Sequence, residues 1–337
     1  MNELAEVRIG VLHSLSGTMA LSETPLIDAV QIAVEQINQV GGVLNRQIKV
    51  IVEDGASVPH IFADKAEKLL VEDKVAAIFG CWTSSSRKAV KPVIERHNSL
   101  LWYPVQYEGL EESPNIIYMG SCLNQQINPA VSWALVRGKR RFFLLGSDYV
   151  FPRIANHLIS TLVTDGGGRV LEEQYVPLDS KDFTQVVTAI RELKPDIIFN
   201  TINGEANLAF FKEYARTELD ADSYPVMSFS FSESELQSVI REAAGHYACW
   251  SYFQNLQTPK NLEFLRNLHE RFGDDKVASD PFVMAYAQVH LWKQAVEAAG
   301  AFNAEIVLDH VVGQSIVGPG SPMEIQANHH IKKPALI

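Results

Sequence analysis

Two α/β lobes, each a doubly wound parallel sheet, joined by a hinge, are the architecture this sequence predicts. Three observations predict it. Short apolar runs of strand type alternate with amphipathic helical stretches over the first hundred residues, and the same alternation restarts near Arg141. The 337 residues give room for two domains at roughly 100–200 residues each. The composition, 47% hydrophobic and 20% charged, is that of an ordinary globular chain.

The elements follow in order. Val7-Arg8-Ile9-Gly10-Val11-Leu12 reads as a strand, then a polar loop runs from His13 to Thr24. An amphipathic helix carries Ile27, Val30, Ile32, Val34 and Ile37 and stops at Gly41-Gly42. Ile48 to Glu53 is the second strand, and Phe62, Ala66, Leu69 and Leu70 mark the second helix. Val75 to Phe79 is the third strand, Ser86 is expected to cap the next helix, and Leu100-Leu101-Trp102 is the fourth strand. A polar stretch from Gly120 to Asn128 reads as a linker. In the second lobe, strands are expected at Arg141–Leu145, Val170–Val176, Ile197–Phe199 and Val226–Phe229. Helices are expected at about Arg153–Thr164, Phe183–Leu193, Asn207–Thr217 and Glu233–Ala243. Beyond Ser251 the pattern turns helical, at Asn261–Phe272, Asp280–Ala299 and Glu305–Val312, as in a chain whose late helices return to the first lobe. Runs of nearly continuous apolar residues suit strands covered by helices on both faces.

Several function classes drop out. A net charge of −11, from 29 basic and 40 acidic residues, disfavours nucleic acid and anionic lipid as partners. No stretch approaches the roughly 18–20 apolar residues of a membrane span. Cys81, Cys122 and Cys249 are too few and too widely spaced for a disulfide framework or a zinc site, and read as small buried thiols. The chain has no G-x-S-x-G elbow, no G-x-x-x-x-G-K-S/T loop and no H-E-x-x-H pair, so no enzyme, metal or cofactor is expected. A hydrolase built on Cys81 lacks an evident activating base. His329-His330 reads as a solvated loop, and Glu111-Glu112 as an exposed acidic turn.

Open parallel sheets bind ligands beyond the carboxyl ends of their strands. Those loops are rich in hydroxyls and aromatics: Gly80-Cys81-Trp82-Thr83-Ser84-Ser85-Ser86, Tyr103-Pro104-Val105-Gln106-Tyr107-Glu108-Gly109, Gly146-Ser147-Asp148-Tyr149-Val150-Phe151-Pro152-Arg153 and Ser230-Phe231-Ser232-Glu233. The expectation is a small pocket with flat aromatic walls and polar tips. Ser84 to Ser86 stand at a helix start, where free N–H groups favour an oxygen acceptor. An amino-acid ligand would need a carboxylate for its ammonium, and Asp148 and Glu108 are the nearby candidates. Asp148 reads instead as a residue that pins its own loop.

These loops, with Ser113-Pro114-Asn115-Ile116 and Asn124-Gln125-Gln126, give the chain a resemblance to type I periplasmic-binding-protein folds of the leucine/isoleucine/valine-binding class. It is most similar to their urea and short-chain amide branch, from about Val7 to His330. The resemblance implies a substrate-binding component of an ABC transporter that closes on urea or an aliphatic amide. The alternative is the sensing domain of an amide regulator or of a larger signalling receptor. It implies an extracytoplasmic location for the former and a cytoplasmic one for an amide sensor. The implied partners are a small neutral ligand and either a membrane permease or a signalling protein. It implies ligand contacts from Trp82, Ser84, Tyr103, Val105, Gln106, Tyr149 and Phe231. The amide sensor of the branch carries Tyr, Thr and Thr where Trp82, Val105 and Phe231 stand here. Val105-Gln106 and Ser228-Phe229-Ser230 are more similar to the urea transporter proteins. In this reading Ser84 and the helix-start N–H groups hold the ligand carbonyl, and the Tyr103 and Tyr149 hydroxyls, or backbone carbonyls, accept its N–H groups. The expected domains are 1–123 plus 252–328, and 124–251 plus 329–337. Met1-Asn2-Glu3-Leu4-Ala5-Glu6 lacks the look of a secretory leader, and the apolar turn at Ile331–Ile337 leads to the expectation of an excised module with its last strand cut short.

Overall fold

The computed structural model describes residues 5–217 and 219–337; the opening residues 1–4, part of the segment read for a leader, lie outside them. Two compact units emerge. One joins the chain up to Ser121 with Tyr252–Pro334, and the other joins Cys122–Ser251 with Ala335–Ile337.

The first unit begins β1 (Glu6–His13), α1 (Ala20–Gln39), β2 (Gln47–Asp54), α2 (Pro59–Val71), β3 (Ile78–Gly80), α3 (Ser84–Arg96), β4 (Leu101–Tyr103) and β5 (Ile116–Tyr118). Its five strands are all parallel, in the order β2-β1-β3-β4-β5. The second unit follows with α4 (Leu123–Val136), β6 (Arg141–Ser147), α5 (Val150–Asp165), β7 (Arg169–Val176), α6 (Thr184–Leu193), β8 (Ile197–Thr201), α7 (Ala206–Arg216), β9 (Val226–Ser228), α8 (Glu233–Leu236) and β10 (Tyr247–Ala248). Its order, β10-β9-β8-β6-β7, is again all parallel. The chain then returns to the first unit as α9 (Pro259–Phe272), α10 (Asp280–Ala299), α11 (Ala304–Leu308) and an antiparallel sheet of β11 (Ser315–Val317), β12 (Pro322–Ile325) and β13 (Ile331–Lys332).

The apolar strand runs are explained by burial on both sides. In the second unit, Phe142 and Leu144 of β6 join Ile197 and Phe199 of β8 in the core under α4 and α5. Their neighbours Phe143, Leu145 and Ile198 point the other way, into the core under α6 and α7. With a side-chain period of two, both faces must be apolar. In the first unit Phe79 of β3 stacks on Trp102 of β4 at 6.1 Å and meets Trp292 of α10 edge-on at 5.9 Å. The helix α10 opens on the Ser279 cap, closes on Gly300 in the left-handed region, and is buried along most of its length against α1.

Several expectations need correction. The stretch read as a linker holds Leu123 to Asn128 inside α4. Its polar residues are helix-start chemistry, since Gln125 Oε1 accepts from Cys122 N at 3.0 Å. Thr83, not Ser86, caps α3: its side chain accepts from Ser86 N at 3.1 Å. The helix expected over Glu233–Ala243 ends at Leu236, and the one expected over Glu305–Val312 ends at Leu308. Strands β5, β11 and β12 were not expected from the sequence, whereas the strand expected to begin at Ile331 is β13. The first boundary falls at 121/122 rather than 123/124. Residues 329–334 belong to the first unit, where Tyr118 N donates to His329 O at 2.9 Å and Ile331 pairs with Ile325. Only Ala335–Ile337 joins the second, through a bridge of Leu336 to Trp250.

Gly120 shows how tightly the first unit is built around its strand-end loops. A Cβ there would lie 1.8 Å from the carbonyl oxygen of Val105. Gly120→Ala is therefore expected to cost about 2 kcal/mol through forced backbone movement, read as a lower guanidinium-chloride midpoint. An unchanged midpoint would show that the two segments do not abut.

Candidate functional site

In a sheet ordered like either of these, the switch point lies where the winding reverses, between β1 and β3 in the first unit and between β6 and β8 in the second. In the first unit β1 and β3 run very close there: a Cβ on Gly80 would lie 2.0 Å from Leu12 O, and Cys81 N donates to that oxygen at 2.8 Å. At the end of β1, His13 is fully buried with Nδ1 3.0 Å from Glu23 Oε2, which also accepts from Ser14 N. The following hydroxyls fasten their loop to the one after β2: Ser16 Oγ donates to Asp54 at 2.7 Å, and Ser14 Oγ accepts from Ser57 N at 3.0 Å.

Beyond β3 and β4 the structure gathers five of the expected residues. Trp82, Ser84, Tyr103, Val105 and Gln106 are all buried. The Tyr103 hydroxyl donates to Trp82 O and lies 3.4 Å from Gln106 O, which knits the two loops together. Burial pushes the Tyr103 hydroxyl's pKa up despite the nearby Arg87 charge, so it stays protonated. Cys81 is buried with its thiol pushed up in the same way, which leaves it protonated and a poor nucleophile.

At the centre stands Arg87, fully buried on the first turns of α3. Its guanidinium lies 4.9 Å from the Tyr103 ring centroid and 4.4 Å from that of Tyr107. Its Nη2 donates to Glu108 Oε1 at 3.1 Å and its Nε to Glu111 Oε1 at 2.8 Å. Lys88 approaches both carboxylates, at 3.4 and 3.3 Å. The Ser84 hydroxyl donates to Glu108 and accepts from Arg87 Nη1 at 3.3 Å. The one proton of the Ser84 hydroxyl is thus directed at Glu108. Glu111, expected in an exposed turn, is buried and also accepts from the Tyr118 hydroxyl at 3.0 Å. His330, expected in a solvated loop, stacks on Tyr118 with centroids 4.5 Å apart and shares a hydrogen bond with the Tyr107 hydroxyl.

In the second unit Tyr149 precedes α5 and packs against the α4–α5 core, while Phe231 follows β9 and sits in the α6–α7 core against Phe211, at 4.6 Å. These two residues are thus held by different faces of the sheet. Asp148 is paired with Arg153 at 2.7 Å. Sequence reading missed a buried polar network at this edge. Asn203 N donates to Ser147 Oγ at 3.0 Å, Thr201 Oγ1 to Asn156 Oδ1 at 3.1 Å, and Asn200 Nδ2 to Asn207 Oδ1 at 2.9 Å. The signal was the run Asn200-Thr201-Ile202-Asn203 directly after an apolar strand. Among the described residues no group of three or more His, Cys, Asp or Glu is placed to hold a metal ion, and no helix is long and apolar enough to cross a membrane.

The sequence matches the periplasmic binding protein domain family over residues 7–337. The chain belongs to that family. It is a family of binding proteins, not of enzymes. Leu/Ile/Val-binding protein homolog 6 of Brucella melitensis is 25% identical over 329 residues, covering 95% of this chain and 83% of that one. Among solved structures, this periplasmic binding protein superimposes on an ABC-transporter solute binding protein from Rhodopseudomonas palustris, in complex with 3,4-dihydroxybenzoic acid. The TM-score is 0.91 at 23% identity, over 98% of this chain and 92% of that one. The branched-chain amino acid transporter substrate binding protein LivJ of Streptococcus pneumoniae, in complex with isoleucine, gives 0.86 at 21% identity, over 98% and 94%.

The Arg87 cluster predicts how stability depends on pH. Burial opposes ionisation of Glu111, but the Arg87 hydrogen bond and charge, the Tyr118 hydroxyl and Lys88 outweigh it and hold this carboxyl at about 2, below its ordinary 4.5. A carboxyl lowered by folding stabilises fully above its unfolded value and loses that contribution as pH falls from about 4.5 towards 2. The guanidinium-chloride midpoint is expected to drop across that window. Glu111→Gln is expected to be less stable by about 3 kcal/mol at pH 7 and to lose much of the acid dependence. A variant with wild-type stability and slope would contradict the pairing.

Proposed function

We propose that this protein is the extracytoplasmic substrate-binding component of an ABC transporter of the Leu/Ile/Val-binding type, and that its ligand is urea or a short-chain aliphatic amide. The contacts proposed are Trp82, Ser84, Tyr103, Val105 and Gln106 from the first unit and Tyr149 and Phe231 from the second.

The observation that carries a neutral ligand is the state of the nearby charges. All seven proposed contacts are uncharged side chains. The two carboxylates that an ammonium group would need are already engaged, Glu108 by Arg87 and Asp148 by Arg153. The cation that an aromatic acid would seek, Arg87, is buried between two carboxylates and two tyrosine rings. The relatives named above were solved with a dihydroxybenzoic acid and with isoleucine, so ligand chemistry varies across the fold. What supports urea or an amide is the resemblance of this chain's strand-end loops to those of the urea and amide branch. The same motifs favour, as a second reading, the sensing domain of an amide regulator, for which copurification with a regulatory partner instead of a permease would speak.

Calorimetric titration at millimolar ligand is expected to give 1:1 binding of urea or acetamide and no heat with leucine or 4-hydroxybenzoate. Binding of leucine or the benzoate, with silence from urea and acetamide, would overturn the reading. Tyr149→Ala and Ser84→Ala are each expected to weaken binding about fivefold or more, at the scale of one hydrogen bond, in proteins that circular dichroism shows to be folded. Wild-type affinity in both would place the site elsewhere.

A further inference from the structure

A serine hydroxyl has one proton to give and two lone pairs with which to accept. At Ser84 the proton goes to Glu108, and one lone pair takes Arg87 Nη1 at 3.3 Å. The other oxygen of Glu108 is faced by two donors, Arg87 Nη2 at 3.1 Å and Lys88 Nζ at 3.4 Å, so the group meets Ser84 as an acceptor. One lone pair of Ser84 is left. Tyr103 is in a similar position, its proton donated to Trp82 O.

We propose that Glu108 is a specificity-determining residue which acts through Ser84. By holding the Ser84 proton it makes this hydroxyl an acceptor towards the ligand, so the site selects N–H donors and rejects a carboxylate of the same shape. This rests on the reading of Ser84 as a ligand contact and adds the polarity of that contact. Acetamide and acetate make a near-isosteric pair that tests it, since they differ mainly in an NH2 group against a charged oxygen. An amide N–H fits the remaining lone pair. A carboxylate oxygen would meet that lone pair with no proton between them, beside the charge of Glu108.

Leaving a buried acceptor facing another acceptor forfeits about tenfold or more in binding, so the wild-type protein is expected to prefer acetamide over acetate by at least that factor. In Glu108→Gln the amide oxygen is expected to face the Arg87 and Lys88 donors and the NH2 to face Ser84, which releases the Ser84 proton and is expected to shrink the acetamide-to-acetate ratio about tenfold. Loss of a nearby negative charge would also raise acetate affinity by field alone, so the substitution is repeated in the Ser84→Ala background. There it is expected to leave the ratio nearly unchanged if Glu108 acts through Ser84. The titrations are calorimetric, on proteins shown by circular dichroism to be folded. Should Glu108→Gln not fold, Ser84→Ala alone decides: it is expected to weaken acetamide and spare acetate, and equal weakening of both would overturn the proposal. A folded Glu108→Gln with the wild-type ratio, or one whose effect persists without Ser84, overturns it while leaving the amide reading intact. Wild-type protein that binds acetate and neither acetamide nor urea overturns both.

Discussion

A guanidinium with no exposure to water is the constraint around which the first unit is arranged. An unpaired charge in that position would cost several kcal/mol, and removing one partner of such a buried pair typically costs about 3–5 kcal/mol. Arg87 is matched on every side: Glu108 and Glu111 supply the charge, Tyr103 and Tyr107 cover it with ring faces, and Ser84 takes a further N–H. Glu108, Glu111 and Tyr107 come from a segment outside any helix or strand. Glu108 and Glu111 hold the stretch after β4, Tyr118 ties β5 to Glu111, and His330 brings the β12–β13 connection onto the same stack. The segment carrying Val105 and Gln106 is therefore fastened to α3 and β5 by side-chain hydrogen bonds on either side.

The same cluster gives that surface its electrical character. Two carboxylates, one arginine and one lysine stand together, so the charge is balanced locally and little is left over to attract an ion. What remains towards a ligand is the hydrogen-bonding capacity of groups whose protons are already used. On the proposed reading a neutral molecule rich in N–H groups suits that arrangement better than an acid does, and each hydrogen bond contributes only about 1 kcal/mol net. Affinity for a ligand as small as the urea or amide proposed would come from several such bonds made together, out of water.

The sheets were legible in the sequence because both of their faces are covered. Strands β1, β6 and β8 appear as nearly unbroken apolar runs, and the loops after them could be located by the switch-point rule. Trp82, Ser84 and Tyr103 were singled out as candidates by the same rule, from the segments that end β3 and β4. Helix α4 was obscured by Gln125 and its neighbours, whose polarity serves the helix start, although Leu123, Ile127, Ala130 and Ala134 keep a helical spacing. The β11–β13 sheet is made of strands two to four residues long, too short for a periodic signal. The Arg87 cluster was hidden for another reason. Glu111 lies 24 positions from Arg87, and His330 lies 223 from Tyr107. Read locally, an acidic pair and a histidine pair look like solvated turns; only the tertiary fold reveals the cation and the rings that bury them.

The account stands most directly on where one proton sits. A neutron structure of the deuterated protein with urea bound would place the deuterons around Ser84. The account predicts the Ser84 deuteron on the line to Glu108, with a urea N–D group directed at the Ser84 oxygen. A Ser84 deuteron directed at the urea oxygen, or urea seated away from Ser84, would contradict it.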